Sequence, residues 1–237
     1  MLEHDQDSIT RSQIDLARLK KTVTVRVVLV FAVMALVLFL PAGTFRYWQA
    51  WAYMSILLIP MLFVVAWLFR NDPELLERRM KAKERERQQR NIQMIGSLFF
   101  LGIYLLPGFD RRYGWSSVPV AVVIAADILV LAGYGLVFLV FKENRYASRV
   151  VEIDEKQTVI TTGPYALVRH PMYVGVLIMY VLAPLALGSY WAVLPALPLI
   201  FILVARIRNE EKVLADKLAG YREYLSRVRF RLIPGIW

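Results

Sequence analysis

The chain has 237 residues, 58% of them hydrophobic, no cysteine, and a formal net charge of +10. Without cysteine there are no disulfides, no thiolate catalysis and no cysteine-based metal site. The apolar residues fall in long blocks, which points away from an ordinary soluble domain and toward membrane spans. In such a chain the positive charge reads first as cytoplasmic loops facing anionic headgroups, not as a nucleic-acid surface.

Residues 1–22 are polar and mixed in charge and read as a cytoplasmic tail. Within them Ser8 to Lys21 forms either a short surface helix or a disordered stretch. No cleavable signal is evident, because the first apolar run continues to spanning length. A first span is expected over Val23 to Leu40, stopped by Pro41-Ala42-Gly43. A second covers Tyr47 to Phe69, with Tyr47, Trp48, Trp51 and Tyr53 as an interfacial belt. A charged connector, 70–91, follows. Between Arg70 and Arg90 it holds eight basic and five acidic residues and reads as a solvated helix at the anionic leaflet. Third and fourth spans are expected over Ile92 to Phe109 and Val118 to Phe141. From Met172 to Ala205 the chain is apolar for 34 residues but carries Pro184, Gly188-Ser189, Pro195 and Pro198. Two full spans need about 20 residues each plus a turn. A short helical hairpin fits better, crossing twice or only partly entering the bilayer.

The reading is an all-α integral membrane protein of about five to six transmembrane helices, the last two a short hairpin. It has three parts: the tail 1–22, the transmembrane helices of 23–141, and a C-terminal region 142–237. Orientation follows from charge. Residues 1–26 hold five Lys and Arg, 70–92 eight, 141–171 five and 206–237 eight, together 26 of 29. The positive-inside rule then places both termini, the Gly163 to His170 segment and the C-terminal part in the cytoplasm.

Gly163-Pro164-Tyr165-Ala166-Leu167-Val168-Arg169-His170-Pro171-Met172-Tyr173-Val174-Gly175 concentrates polar chemistry where that loop enters the membrane. Gly163-Pro164 signals a turn, and Pro171 suits the first turn of a helix. A helix N-terminus can hold an anion, and His170 can donate, accept or titrate. Gly175 lets a flat group or another backbone come close. Residue types alone do not choose between a ligand site and a headgroup anchor. No metal is expected: the other histidine, His4, lies in the tail.

Downstream, Ile207, Leu214, Leu218, Tyr221, Leu225 and Val228 form a helical stripe. Glu211 interrupts it, pointing within roughly 20° of Leu218. An acid on an apolar face is costly unless it is paired or binds a cationic ligand. Glu210 stands one turn after Arg206, an ion-pair spacing, so a routine helix pair is the plain alternative. Asp127, inside the fourth span, is a further functional candidate unless it lies nearer the interface or bonds a neighbour such as Tyr134. Asn144 and Arg145 are placed to face the mouth of a site.

The pattern Gly-Pro-Tyr-x-x-x-Arg-His-Pro-x-Tyr-x-Gly, a short hairpin, Arg206-x-x-x-Glu210-Glu211-x-x-Leu214 and Tyr221-x-x-Tyr224 resembles the isoprenylcysteine carboxyl methyltransferase family. Phospholipid N-methyltransferases are more distant relatives. The resemblance covers about residues 140–237. Upstream, Gly108 to Ser116, and the ending Arg229 to Trp237, look like those of bacterial members, which implies a bacterial inner membrane. It also implies an integral membrane enzyme using S-adenosylmethionine. His170, Tyr173, Val174 and Gly175 would line the cofactor pocket, with Tyr165 and Val168 as wall residues, and Glu211 would meet the cofactor's amino group. Arg206 would orient an anionic substrate group, and Glu210 would hold Arg206 or the cofactor. The acceptor implied is a lipid-like or prenylcysteine-type carboxylate, entering from membrane lipid. Competing readings are a phospholipid N-methyltransferase, a nicotinamide-dependent membrane reductase of related architecture, and a non-enzymatic scaffold.

Overall fold

The computed structural model describes residues 16–80, 87–147 and 157–237. Those residues form eight α-helices and one 3-10 turn, with no strand among them. In chain order the helices are α1 (Leu16–Ala42), α2 (Trp48–Asn71), α3 (Pro73–Met80), α4 (Arg87–Tyr113), α5 (Val120–Glu143), α6 (Pro171–Ala186), α7 (Val193–Lys217) and α8 (Tyr221–Arg227). Three of them, α1, α2 and α5, are long and apolar enough to cross a membrane. Their apolar side chains are only partly covered, as with exposed Val25, Leu29, Val33 and Leu36 on α1. Such surface suits lipid, where apolar side chains need no cover. The chain is an integral membrane protein.

Packing runs from α1 to α4, α7, α6, α5 and α2. The tightest approach is between α5 and α6. A Cβ on Gly175 would stand 2.6 Å from the Gly133 carbonyl oxygen, and one on Gly133 would stand 2.9 Å from that of Gly175. No side chain fits there, so the two glycines let the backbones touch. This contact fixes where α6 begins relative to the end of α5.

Several boundaries differ from the sequence reading. Residues 16–22, expected within the tail, are helical and continuous with the first helix, which starts at Leu16. Leu19 and Val23 are buried in one cluster with Leu68, Leu75, Leu76, Phe141 and Ala147. The connector is therefore not a solvated helix throughout. Leu75 and Leu76 of α3 are its anchors, at 0% and 2% exposure, because burying two leucines outweighs leaving a short charged helix free. The Asp72 carboxylate caps α3, accepting from the Leu75 amide at 2.9 Å. The stretch Ser8 to Ile14, His4 and residues 81–86 of the connector lie outside the described residues.

The expected hairpin is α6 and α7. At 16 residues α6 is about 24 Å long, short of a hydrocarbon core of about 30 Å. Its turn nevertheless meets the loops that end the longer helices. Tyr47 donates to the Leu187 carbonyl at 2.5 Å, and Ser189 donates to Asp110 at 2.5 Å. Helix α7 then continues unbroken from the apolar stretch through Arg206 to Lys217. The stripe from Ile207 to Val228 is not one helix. It breaks at Gly220, whose φ of +80° a side chain would oppose, and resumes as α8.

Candidate active site

At the end where α5 stops, α6 starts and α7 emerges, a 3-10 turn spans Gly163–Ala166. It carries Tyr165, whose hydroxyl accepts from Asn144 Nδ2 at 2.8 Å. The Tyr165 carbonyl accepts from the Tyr224 hydroxyl at 2.8 Å. The turn is thus tied to α5 on one side and α8 on the other. Pro171 takes the first turn of α6, as the sequence suggests, and His170 is the residue before it. Beside the turn, the amides of Arg169 and His170 donate to the carbonyls of Phe230 (2.9 Å) and Arg231 (3.0 Å).

Glu211 is buried, at 7% exposure. Its Oε1 accepts from Arg169 Nε at 2.7 Å and lies 3.2 Å from His170 Nε2. Its Oε2 accepts from Arg231 Nε at 2.8 Å. Burial alone would raise the carboxyl pKa. The His170 hydrogen bond and charge, the Arg231 hydrogen bond and the Arg169 charge hold it down, to about 2. An ionised carboxylate only accepts, so His170 Nε2 carries the proton in this contact. The paired acid that the apolar face requires is therefore supplied with protein cations.

Glu210, the next side chain on α7, faces the cavity. Arg206 Nε donates to the Tyr173 hydroxyl at 2.8 Å, and that hydroxyl donates to Glu210 Oε2 at 2.5 Å. Tyr173 thus links the two residues that the sequence reads as a helix pair. The half-buried polar chain holds all three side chains in one arrangement.

A cavity opens here. Asn144, Tyr146, Ala147, Gln157 to Ile160, Tyr165, Arg169, His170, Met172, Tyr173, Arg206, Glu210, Leu214, Leu218, Tyr221 and Tyr224 line it. Burial, the largest effect, pushes Tyr165 up to about 12, and it raises Tyr221 and Tyr224 as well. These hydroxyls stay neutral over the working pH range and keep their rings as neutral walls. Aromatic faces beside a carboxylate fit a cationic group.

Of the residues singled out by sequence, Arg206, Glu210, Tyr165, His170 and Tyr173 line the cavity together. Val168, Val174, Gly175 and Glu211 do not. Val168 is buried away from it. Val174 packs toward Leu203, Ile207 and Leu232, and Gly175 faces Gly133. The close approach that Gly175 permits is thus to a backbone. Asp127 is buried near the far end of α5, and its Oδ1 has no hydrogen-bond partner among the described residues. It stands apart from the cavity.

Sequence reasoning missed Gln157 to Ile160, which carry no motif, and Met172. Leu214, Leu218 and Tyr221 were legible as an apolar stripe, with Leu214 and Tyr221 also in the family pattern, but without a role in the site; that stripe faces the cavity as well as the core. Among the described residues no group of three or more His, Asp or Glu is arranged for a metal ion.

Residues 121–219 match the family model described as phospholipid methyltransferase. The match begins in α5 and ends just past α7, taking in the 3-10 turn, His170, Tyr173, Arg206 and both glutamates. No curated protein matches the chain.

Proposed function

Because residues 121–219 match the phospholipid methyltransferases, we propose that this chain is a membrane methyltransferase whose cavity holds S-adenosylmethionine and whose acceptor is lipid-like. The observation that carries the reading is the Arg206–Tyr173–Glu210 chain at a cavity walled by Tyr165, Tyr221 and Tyr224. Bound there, the cofactor supplies a methyl group already activated on a sulfonium, so the protein needs little acid–base machinery. Glu210 offers the negative charge that favours a cation. The tyrosine rings exclude water and present π faces to that cation. His170, held by Glu211, keeps one ring orientation at the cavity wall. Val168, Val174, Gly175 and Glu211 serve by position: they fix the 168–175 segment against α5, α7 and the 228–237 segment.

Arg206 orients an anionic acceptor group, which favours a carboxylate of the prenylcysteine type. Such an acceptor attacks without losing a proton. The family match favours a second reading, transfer to the amine of a phospholipid headgroup. An amine must first shed a proton, and Glu210 is placed to receive it. The charge distribution supports a cytoplasmic cavity and cytoplasmic termini. In this reading residues 1–22 are a cytoplasmic tail, 23–141 the transmembrane frame and 142–237 the catalytic part, in a bacterial inner membrane.

The test is methyl-label transfer from S-adenosylmethionine by purified protein in nanodiscs, with phosphatidylethanolamine and prenylcysteine analogues side by side. Label in an alkali-labile ester marks the carboxylate reading. Stable label in the headgroup marks the amine reading. No label in either, nor in the native lipid extract, overturns both. Binding of a reduced nicotinamide dinucleotide in place of S-adenosylhomocysteine would favour the reductase.

A further inference from the structure

We propose that residues 228–237 brace the cofactor site from outside the cavity, and that Arg231 is a positioning residue acting on His170. The inference rests on the methyltransferase reading for its functional consequence, but not for its geometry. This segment lies beyond the matched residues 121–219.

The segment grips His170 in two ways. Its backbone accepts from the backbone of the 169–170 pair, through the Phe230 and Arg231 carbonyls at 2.9 and 3.0 Å. Its Arg231 side chain holds Glu211 Oε2 at 2.8 Å, while Glu211 Oε1 lies 3.2 Å from the His170 ring. One residue therefore fixes the histidine's main chain and, through one carboxylate, its ring plane and proton.

Arg169 closes the loop from the other side. Its Nη1 donates to the Val228 and Arg229 carbonyls at 3.0 and 3.1 Å, while its Nε donates to Glu211. The segment is itself seated. Leu232 is buried against Leu203 and Ile207, and the Arg231 guanidinium lies 5.1 Å from the Trp237 ring centroid. A carboxylate held by two guanidiniums in a fixed frame leaves the imidazole one orientation. Groups that orient a contacting residue in this way carry much of a site's precision.

Glu211 keeps Arg169 when Arg231 is removed, so the carboxylate stays paired and the fold has a second support. What is lost is the restraint on Oε2 and hence on the ring. A merely structural arginine would leave the ring's signature unchanged in folded protein.

The experiment uses the full chain in nanodiscs, labelled with 15N-histidine. There are two histidines, so His4→Ala leaves one signal set to assign. Compared are wild type, Arg231→Ala, Arg231→Lys and Arg231→Gln, the last two retaining a donor should the alanine variant fold poorly. The expected spectrum for wild type shows a protonated Nε2. In Arg231→Ala the two ring nitrogens move toward averaged values, and S-adenosylhomocysteine binding by calorimetry weakens about tenfold. Arg231→Lys recovers most of both, and Arg231→Gln falls between. Unchanged ring signals and unchanged affinity in a folded Arg231→Ala or Arg231→Gln protein would overturn the proposal. Shifted ring signals without any wild-type binding of S-adenosylhomocysteine uphold the Arg231–His170 link and remove the cofactor reading instead.

Discussion

The two ends of the bundle each bury a carboxylate, and the two carboxylates are used differently. At the end away from the cavity, Asp110 accepts from the Ser116 amide (2.7 Å), the Ser116 hydroxyl (2.6 Å) and the Ser189 hydroxyl (2.5 Å). Ser116 in turn accepts from the Tyr190 amide at 3.1 Å. These are neutral donors on two loops, and none of these residues lines the cavity. At the cavity end, Glu211 is met by Arg169, His170 and Arg231, and beside it Glu210, Tyr173 and Arg206 face open space. A carboxylate satisfied by neutral groups closes a loop. One satisfied by cations, next to a second carboxylate facing a cavity, makes a charged frame around a void. The first arrangement serves stability; the second carries the proposed chemistry.

Four measurements would break or sharpen this contrast. The largest effect is expected from acid. Glu211 has its folded pKa depressed from 4.5 to about 2. Its contribution to stability is therefore full above about 4.5 and is lost as pH falls through about 2. The contribution is of order 3 kcal/mol. Denaturation midpoints of wild type should fall over that window, and those of Glu211→Gln should fall less. Next, Glu210→Ala should lower methyl transfer about 100-fold with the fold intact, as loss of a charged group facing the reacting centre does. Third, Asp110→Ala should destabilise by about 2 kcal/mol, because the buried Ser189 hydroxyl loses the acceptor for its proton. Its S-adenosylhomocysteine affinity should match wild type once folded. The smallest effect is Tyr165→Phe, which removes the Asn144 hydrogen bond and should cost about 1 kcal/mol of cofactor affinity. If Asp110→Ala weakened binding as much as Glu210→Ala, the contrast between the two ends would fail.

The contrast was half visible in the sequence. Glu211 could be placed on an apolar face from its seven-residue spacing to Leu218, since helical periodicity is local. That Arg231 would meet it could not, because the chain must first turn at Gly220 and run back along α7. Gly175 looked like a place for close approach, and it is one. Its partner, Gly133, lies on a helix that only tertiary packing brings near. Asp110 stood out in the sequence only as part of the Gly108 to Ser116 stretch, with no role, since its partners Ser116 and Ser189 come from a loop and from a hairpin turn. The three long apolar helices α1, α2 and α5 were legible because apolar length needs no tertiary context. The α3 leucines were hidden among charges, where composition dominates any short periodic signal. Gln157 to Ile160 enter the cavity wall through loop geometry, which no spacing encodes.

The most direct test of the cavity is equilibrium binding of S-adenosylhomocysteine to the purified chain in nanodiscs, alongside Glu210→Ala and Asp110→Ala. Saturable one-site binding to wild type and to Asp110→Ala, with marked loss in Glu210→Ala, is the predicted result. No binding to wild type, or equal binding to Glu210→Ala, would contradict the assignment of this cavity as the methyl donor's site.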